Sequence, residues 1–144
     1  MTDDRSYPAA PILGVGAIIV HEGRVVVIRR ANEPLKGEWS IPGGRVELGE
    51  TVAQAVVREA REETGLEVEP VTLVEIFDRI TRDEEGKTKF HYVLLDYLCH
   101  VRGGDLRAGG DATEVRLLAA EELDAFPIRD FTRQVIRKAL QSCR

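Results

Sequence analysis

One stretch constrains the fold of this chain more than any other. Over residues 43–66, GGRVELGETVAQAVVREAREETGL, a glycine-rich loop runs directly into an amphipathic helix. Thr51 followed by Gln54 has capping-box spacing: the hydroxyl and the amide each satisfy a backbone N–H left open at a helix start, which places that start near Val52. Gly65 stands where a left-handed residue ends a helix, so the last helical residue is near Thr64. At about 100° per residue, Val52, Ala53, Val56, Val57 and Ala60 fall on one side and are expected to pack on a sheet. Glu59, Glu62 and Glu63, spaced i, i+3, i+4, share a face beside that stripe, with Arg58 and Arg61 further round.

These carboxylates are a poor choice for helix stability. Glu59 and Glu63 repel across one turn by roughly 0.2–0.5 kcal/mol, and Arg58 offsets Glu62 only in the weaker Arg-before-Glu order. In the last turn, at the negative end of the helix dipole, Glu62 and Glu63 cost about 0.3–1 kcal/mol each. Three converging carboxylates become sensible if they bind a hard divalent cation such as Mg²⁺, which takes oxygen ligands and keeps waters for a phosphate substrate. The competing reading is a solvated, charge-rich helix face. Glu47 and Glu50, in the loop ahead of the helix, favour the metal.

The remaining chain reads as a scaffold. Strand patterns occupy 12–20 (ILGVGAIIV) and 24–30 (RVVVIRR), joined as a hairpin by the turn His21-Glu22-Gly23. Gly14 and Gly16 inside the first strand mark either a close approach by a neighbour or loose edge packing. A loop at 31–38 leads to the short apolar piece Trp39-Ser40-Ile41. Glu69-Pro70 reads as a break, 71–81 as a strand, and 82–88 as a charged hairpin tip. Residues 89–101 form a long apolar strand, expected to be internal to the sheet. A glycine-rich loop at 102–111 and a short strand at 114–118 follow, then helical patterns at 120–126 and about 129–142. Strands flanking a helix, with helices again at the end, give an α/β class built on a mixed sheet.

At 144 residues, the chain is expected to form a single domain over 1–144, with residues 1–10 flexible. A net charge of −5 excludes a global basic field, so neither a nucleic-acid polymer nor an anionic membrane is an expected partner. No apolar run approaches the length of a membrane span. The acidic, proline-punctuated start does not read as a signal peptide, and the expected compartment is the cytoplasm. Cys99 and Cys143 form neither a disulfide framework nor a metal motif; Cys99 is expected to be a buried thiol.

The spacing of the central stretch is more specific than a charge cluster. Gly44, five residues, Glu50, seven residues, then Arg58-Glu59-Ala60-Arg61-Glu62-Glu63-Thr64-Gly65-Leu66 matches the Nudix box, Gx5Ex7REUxEExGU, with Ala60 smaller than the usual bulky aliphatic. The chain therefore resembles the Nudix hydrolases. The resemblance implies an α/β/α sandwich with a mixed β-sheet. It implies metal-dependent attack of water on a diphosphate in a nucleoside diphosphate linked to another moiety. It also implies Mg²⁺ or Mn²⁺ on Glu59, Glu62, Glu63 and the Gly43 carbonyl, and a homodimer. Arg58 would orient the glutamates by ion pairing, and Glu50 would support them. The general base is Glu59, Glu62, Asp111 or Glu114, the last two because the 102–114 loop is expected near the site.

Outside the box, Arg29 and Arg30 end a strand expected to approach the metal helix and are candidates for substrate phosphate, with Arg79 and Lys36 behind them. Phe77, Phe90, Tyr92 and Tyr97 could include a ring that stacks on a base, although strand aromatics are mostly core; Trp39 is expected to pack. His21, His91 and His100 share no spacing. Among substrates, ADP-ribose or a nucleotide sugar is favoured over an ordinary or oxidised (deoxy)nucleoside triphosphate. The reason is that Leu117 stands where some triphosphate-cleaving relatives carry tryptophan. A non-catalytic nucleotide sensor is disfavoured because every box carboxylate is present. An isoprenoid diphosphate isomerase is disfavoured because no cysteine stands upstream, and a purely structural domain because the box match is complete.

Overall fold

The computed structural model describes residues 5–33 and 35–142; Cys143 and the first four residues of the segment expected to be flexible lie outside them. In chain order the elements are β1 (Ile12–His21), β2 (Arg24–Arg30), β3 (Trp39–Ser40), β4 (Gly43–Arg45), α1 (Val52–Thr64), β5 (Leu66–Arg82), β6 (Thr88–Gly104), β7 (Ala112–Ala119) and α2 (Asp130–Ser142). The strands form one mixed sheet, β3-β2-β1-β6-β5, with β4 on β1 and β7 on β2. The parallel strand pair is β1 with β6, registered from Ile12–Tyr92 to Val20–His100. β6 is internal, as its apolar run requires.

Strand alternation divides the core into two layers. Val15, Ala17 and Ile19 of β1 pack with Ala55, Val56 and Ala60 of α1. Ile18 of β1 and Val25 and Val27 of β2 face the other way, onto Val135, Ile136 and Ala139 of α2. The result is the α/β/α sandwich. Among the described residues no helix is long and apolar enough to cross a membrane.

The β1–β2 hairpin is registered only at Val20–Val25 and His21–Arg24. Beyond that the two strands separate, and residues 39–45 fill the wedge. β3 pairs with the end of β2, and β4 pairs with the start of β1 through Gly14–Arg45, Val15–Gly44 and Gly16–Gly43. Between them the buried Pro42 accepts the Ala17 N–H at 2.8 Å. A Cβ at Gly43 would collide with the Val15 carbonyl oxygen, so the glycine is required for the backbones to come this close. The wedge is where the glycine loop meets α1.

Three expectations are corrected. Pro70 does not break the strand: β5 is continuous because it is the sheet edge, where a missing N–H removes little from the ladder, and register shifts at Glu67/Val68 and Pro70/Thr72 absorb the irregularity. The 120–126 pattern forms only a 3₁₀ turn at Ala120–Glu122, and Pro127 disfavours helical backbone at Phe126. The buried face of α1 is rotated from the expected stripe. Ala53 is exposed, and the face comprises Ala55, Val56, Glu59, Ala60, Glu63 and Thr64. Two glutamates therefore lie on the packing face itself rather than beside it.

Candidate active site

The ends of α1 form as its sequence dictates. Thr51 Oγ1 accepts from Gln54 N at 3.1 Å and the Gln54 side chain accepts from Thr51 N at 2.9 Å. Gly65, at φ 76°, closes the helix in the left-handed region and donates to the Arg61 carbonyl. The loop after β6 then packs on this end, with Arg107 N donating to the Thr64 carbonyl at 2.8 Å.

Arg58 is the centre of the polar cluster rather than further round the helix. It holds Glu50 with two bonds, Nε–Oε2 at 2.7 Å and Nη2–Oε1 at 2.9 Å. It donates to Glu59 Oε1 at 2.7 Å, to the Arg45 carbonyl at 2.9 Å and to Glu62 Oε2 at 3.4 Å. This hydrogen bonding with Arg58 pulls the Glu50 carboxyl down to about 2. Bonding to Glu50 in turn holds the guanidinium above its ordinary value.

Glu59 and Glu63 show the opposite behaviour. They are 7% and 2% exposed. Burial pushes Glu59 up to about 7 despite Arg58, and Glu63 up to about 8 despite the bond it accepts from Gly43 N at 2.8 Å. Glu62 and Asp111 add to the rise of Glu59, and Glu59 and Asp111 to that of Glu63. Space for the Glu59 carboxylate is created by Gly44, whose Cβ would collide with it. The donors of this cluster are hard carboxylate oxygens, two of them on buried glutamates, which fits Mg²⁺ or Mn²⁺. Among the described residues no three acidic, histidine or cysteine side chains are already gathered as a preformed ligand set; Glu59 is turned to Arg58 and Glu63 to the Gly43 amide.

These groups line one side of a cavity of about 450 Å³. Arg30, Arg79 and Asp111 also line it. Asp111 is held by Asn32 Nδ2 at 2.7 Å. Arg29 and Glu114 do not line it. They are opposed in the β2–β7 register and pair with each other at 3.0 Å. Adjacent strand residues point to opposite faces, so Arg30 can reach the cavity only if Arg29 does not. Lys36 is exposed and outside the lining. Of the aromatics, Phe77 and Tyr92 line the cavity. Phe90 is buried, Tyr97 packs toward α1, and Trp39 packs edge-on against Phe126 at 4.9 Å. Burial pushes the Cys99 thiol up to about 12.

Among the lining residues that escaped the sequence reading are Phe131 of α2 and Asp96. Asp96 of β6 is 5% exposed and is raised to about 7 by burial, with the Arg79 charge opposing. A lone acid in an otherwise apolar strand, directly across from a strand glycine, was the available signal.

A NUDIX domain model matches residues 10–139. The chain is 38% identical over 128 residues to an ADP-ribose pyrophosphatase of Methanocaldococcus jannaschii, covering 89% of this chain and 72% of that protein. It is 36% identical over 104 residues to the 8-oxo-dGDP phosphatase NUDT18 of Mus musculus, covering 72% of this chain but 29% of that protein. Its fold superposes on the crystal structure of a MutT NUDIX hydrolase from Burkholderia pseudomallei with a TM-score of 0.75 at 34% identity, covering 90% of this chain and 98% of that one. With its box intact and its glutamates gathered at the mouth of a cavity, this chain belongs to the Nudix hydrolases, enzymes that cleave diphosphate bonds.

Proposed function

We propose that the substrate is a nucleoside diphosphate linked to a second moiety, of the ADP-ribose or nucleotide-sugar type, and that Glu59, Glu62, Glu63 and the Gly43 carbonyl hold Mg²⁺ or Mn²⁺ for its hydrolysis. The observation that carries the reading is the pair of buried glutamates, Glu59 and Glu63, on the packing face of α1 beside a cavity. The likeness to an ADP-ribose pyrophosphatase supports the substrate class. A divalent cation in this cluster supplies charge neutralisation for the diphosphate and acidifies the attacking water.

The chain's own residues do the rest. Arg58 keeps Glu59 and Glu50 in place through its fixed fork of donors. Arg30 and Arg79 bring positive charge into the cavity for the phosphates. Asp111 takes the proton from water, in preference to Glu114, because Asp111 lines the cavity and Glu114 is occupied by Arg29.

The test is hydrolysis with Mg²⁺ of ADP-ribose, nucleotide sugars, dinucleoside polyphosphates, 8-oxo-dGDP and deoxynucleoside triphosphates, with products resolved by chromatography. AMP and ribose 5-phosphate released from ADP-ribose is the expected result. Preferential turnover of 8-oxo-dGDP or of a triphosphate would move the chain to the second class, which the NUDT18 likeness favours. Turnover of nothing in the panel would overturn the reading.

A further inference from the structure

The cavity floor carries an acid for which the hydrolysis has no use. Asp96 lies across from Gly16 in the parallel β1–β6 register and lines the cavity. It is 95% buried, being 5% exposed. Its carboxylate nevertheless makes no hydrogen bond or ion pair with any described residue; the Arg79 charge acts on it only at a distance. Among the described residues the fully enclosed unpartnered side-chain atom is Glu38 Oε2, so the Asp96 oxygens open onto the cavity; an unpartnered acceptor that faces a cavity is a site for a ligand donor. The surroundings are built for it. A Cβ at Gly16 would collide with Asp96 Oδ1 and stand 2.7 Å from Ile41 Cδ1, so only glycine there leaves the carboxylate its space.

The neighbouring walls are aromatic. Phe77 of β5 and Phe131 of α2, both in the lining, stand with ring centroids 4.4 Å apart. Arg79 lies 5.7 Å from the centre of the Phe77 ring. The register runs Gly43–Gly16–Asp96 across three strands, which puts Asp96 roughly 10 Å from Gly43 in two strand spacings. A carboxylate repels phosphate and, when ionised, only accepts hydrogen bonds. The ligand part it suits is therefore uncharged, rich in donors and ring-bearing, and attached to a diphosphate held at the glutamate end.

We propose that Asp96 recognises the nucleoside half of the substrate, accepting hydrogen bonds from N–H donors of the base or O–H donors of the ribose while Phe77 and Phe131 wall the ring. The inference rests on the nucleotide reading of the cavity but needs no turnover, and its test is a binding experiment. Wild type and Asp96→Asn are titrated calorimetrically, with Mg²⁺ present, with the non-hydrolysable α,β-methylene analogues of ADP and GDP, with their 2′-deoxy forms, and with methylenediphosphonate. Asp96→Asn is expected to weaken the nucleoside ligands by about tenfold, the loss of one hydrogen bond to a charged group, and to leave methylenediphosphonate unchanged. A loss that follows the base identifies base donors; a loss confined to the ribo forms identifies the sugar diol.

Several outcomes overturn the proposal: equal weakening of methylenediphosphonate, no weakening of any nucleoside ligand, or wild type binding nucleosides no better than methylenediphosphonate. Altered melting temperature with unaltered binding would make Asp96 a counter-charge for Arg79 and would also overturn it. Asp96→Ser, smaller and without the charge, takes the place of Asp96→Asn if the latter does not fold. Nucleotide binding that depends on Asp96 in a protein that hydrolyses nothing refutes the hydrolytic reading alone. Hydrolysis with binding indifferent to Asp96 refutes this inference alone.

Discussion

The two ends of the cavity bury acids in opposite ways. At the α1 end, Glu50, Glu59, Glu62 and Glu63 come from one continuous stretch, and one arginine ties three of them together. At the far end, Asp96 stands alone on an internal strand, without a hydrogen-bond partner among the described residues and beside two aromatic rings. Burial raises the carboxyls of Glu59, Glu63 and Asp96 alike, but what would relieve each differs. A cluster of hard oxygens calls for a cation; an isolated acceptor calls for a donor. On the roles proposed above, the same desolvation cost marks a reaction centre in one place and a recognition point in the other, and only the neighbours distinguish them.

The largest effect expected on this contrast comes from Glu63→Gln. The amide keeps an oxygen for the Gly43 N–H but loses the charge, so kcat should fall by more than about 100-fold with Mg²⁺. The melting temperature should stay level or rise, because a buried carboxylate is removed. A large drop in stability would sink the assignment of Glu63 as a metal ligand. Next comes the base. Asp111→Asn should lower kcat by roughly 10–100-fold, whereas Glu114→Gln should change it by less than about threefold. Equal effects in steady-state assays would erase the distinction drawn from the Arg29–Glu114 pair.

Arg58→Met tests the glue of the α1 end. Leaving Glu50 and Glu59 without their partner should cost roughly 2–3 kcal/mol in urea unfolding, below the usual figure for a fully buried pair because the Arg58 side chain is 23% exposed. A change under about 0.5 kcal/mol would show the cluster to be as loosely held as a surface pair.

The smallest effect is a pH profile of the metal-free protein. Glu59 and Glu63, raised to about 7 and about 8, bind protons more tightly folded than unfolded. Their contribution is most favourable below the unfolded value of 4.5 and is lost as pH rises through 7 to 8. Glu50, lowered to about 2, works the other way: its contribution is present above 4.5 and disappears as pH falls toward 2. Melting in chelator should therefore be lower at pH 8 than at pH 5, and the difference should shrink in Glu63→Gln. An unchanged difference in the variant would mean that Glu63 is not buried as described.

The α1 end could be read from the chain because its information is local. Thr51, Gln54 and Gly65 define the helix through contacts within a few residues, and the box glutamates follow at fixed spacing. Even there, periodicity placed Glu59 and Glu63 beside the packing face, while the structure puts them on it. That difference arises because Gly43 and Gly44 allow the β4 segment to close over the helix. The division between Arg29 and Arg30, and between Asp111 and Glu114, depended on the β2–β7 register, a pairing between residues more than eighty apart in sequence.

What the sequence determined by itself was the family and the local frame of the proposed reaction centre: a capped helix, its carboxylates and the glycine loop before it, all within one short stretch where spacing dictates geometry. What only tertiary structure decided was the rest of the cavity. Gly16, Asp96, Phe77 and Phe131 come from β1, β6, β5 and α2, and no local pattern brings them together. The parallel pairing of β1 with β6 and the packing of α2 across the sheet do so, because long-range register sets which side chains share a face.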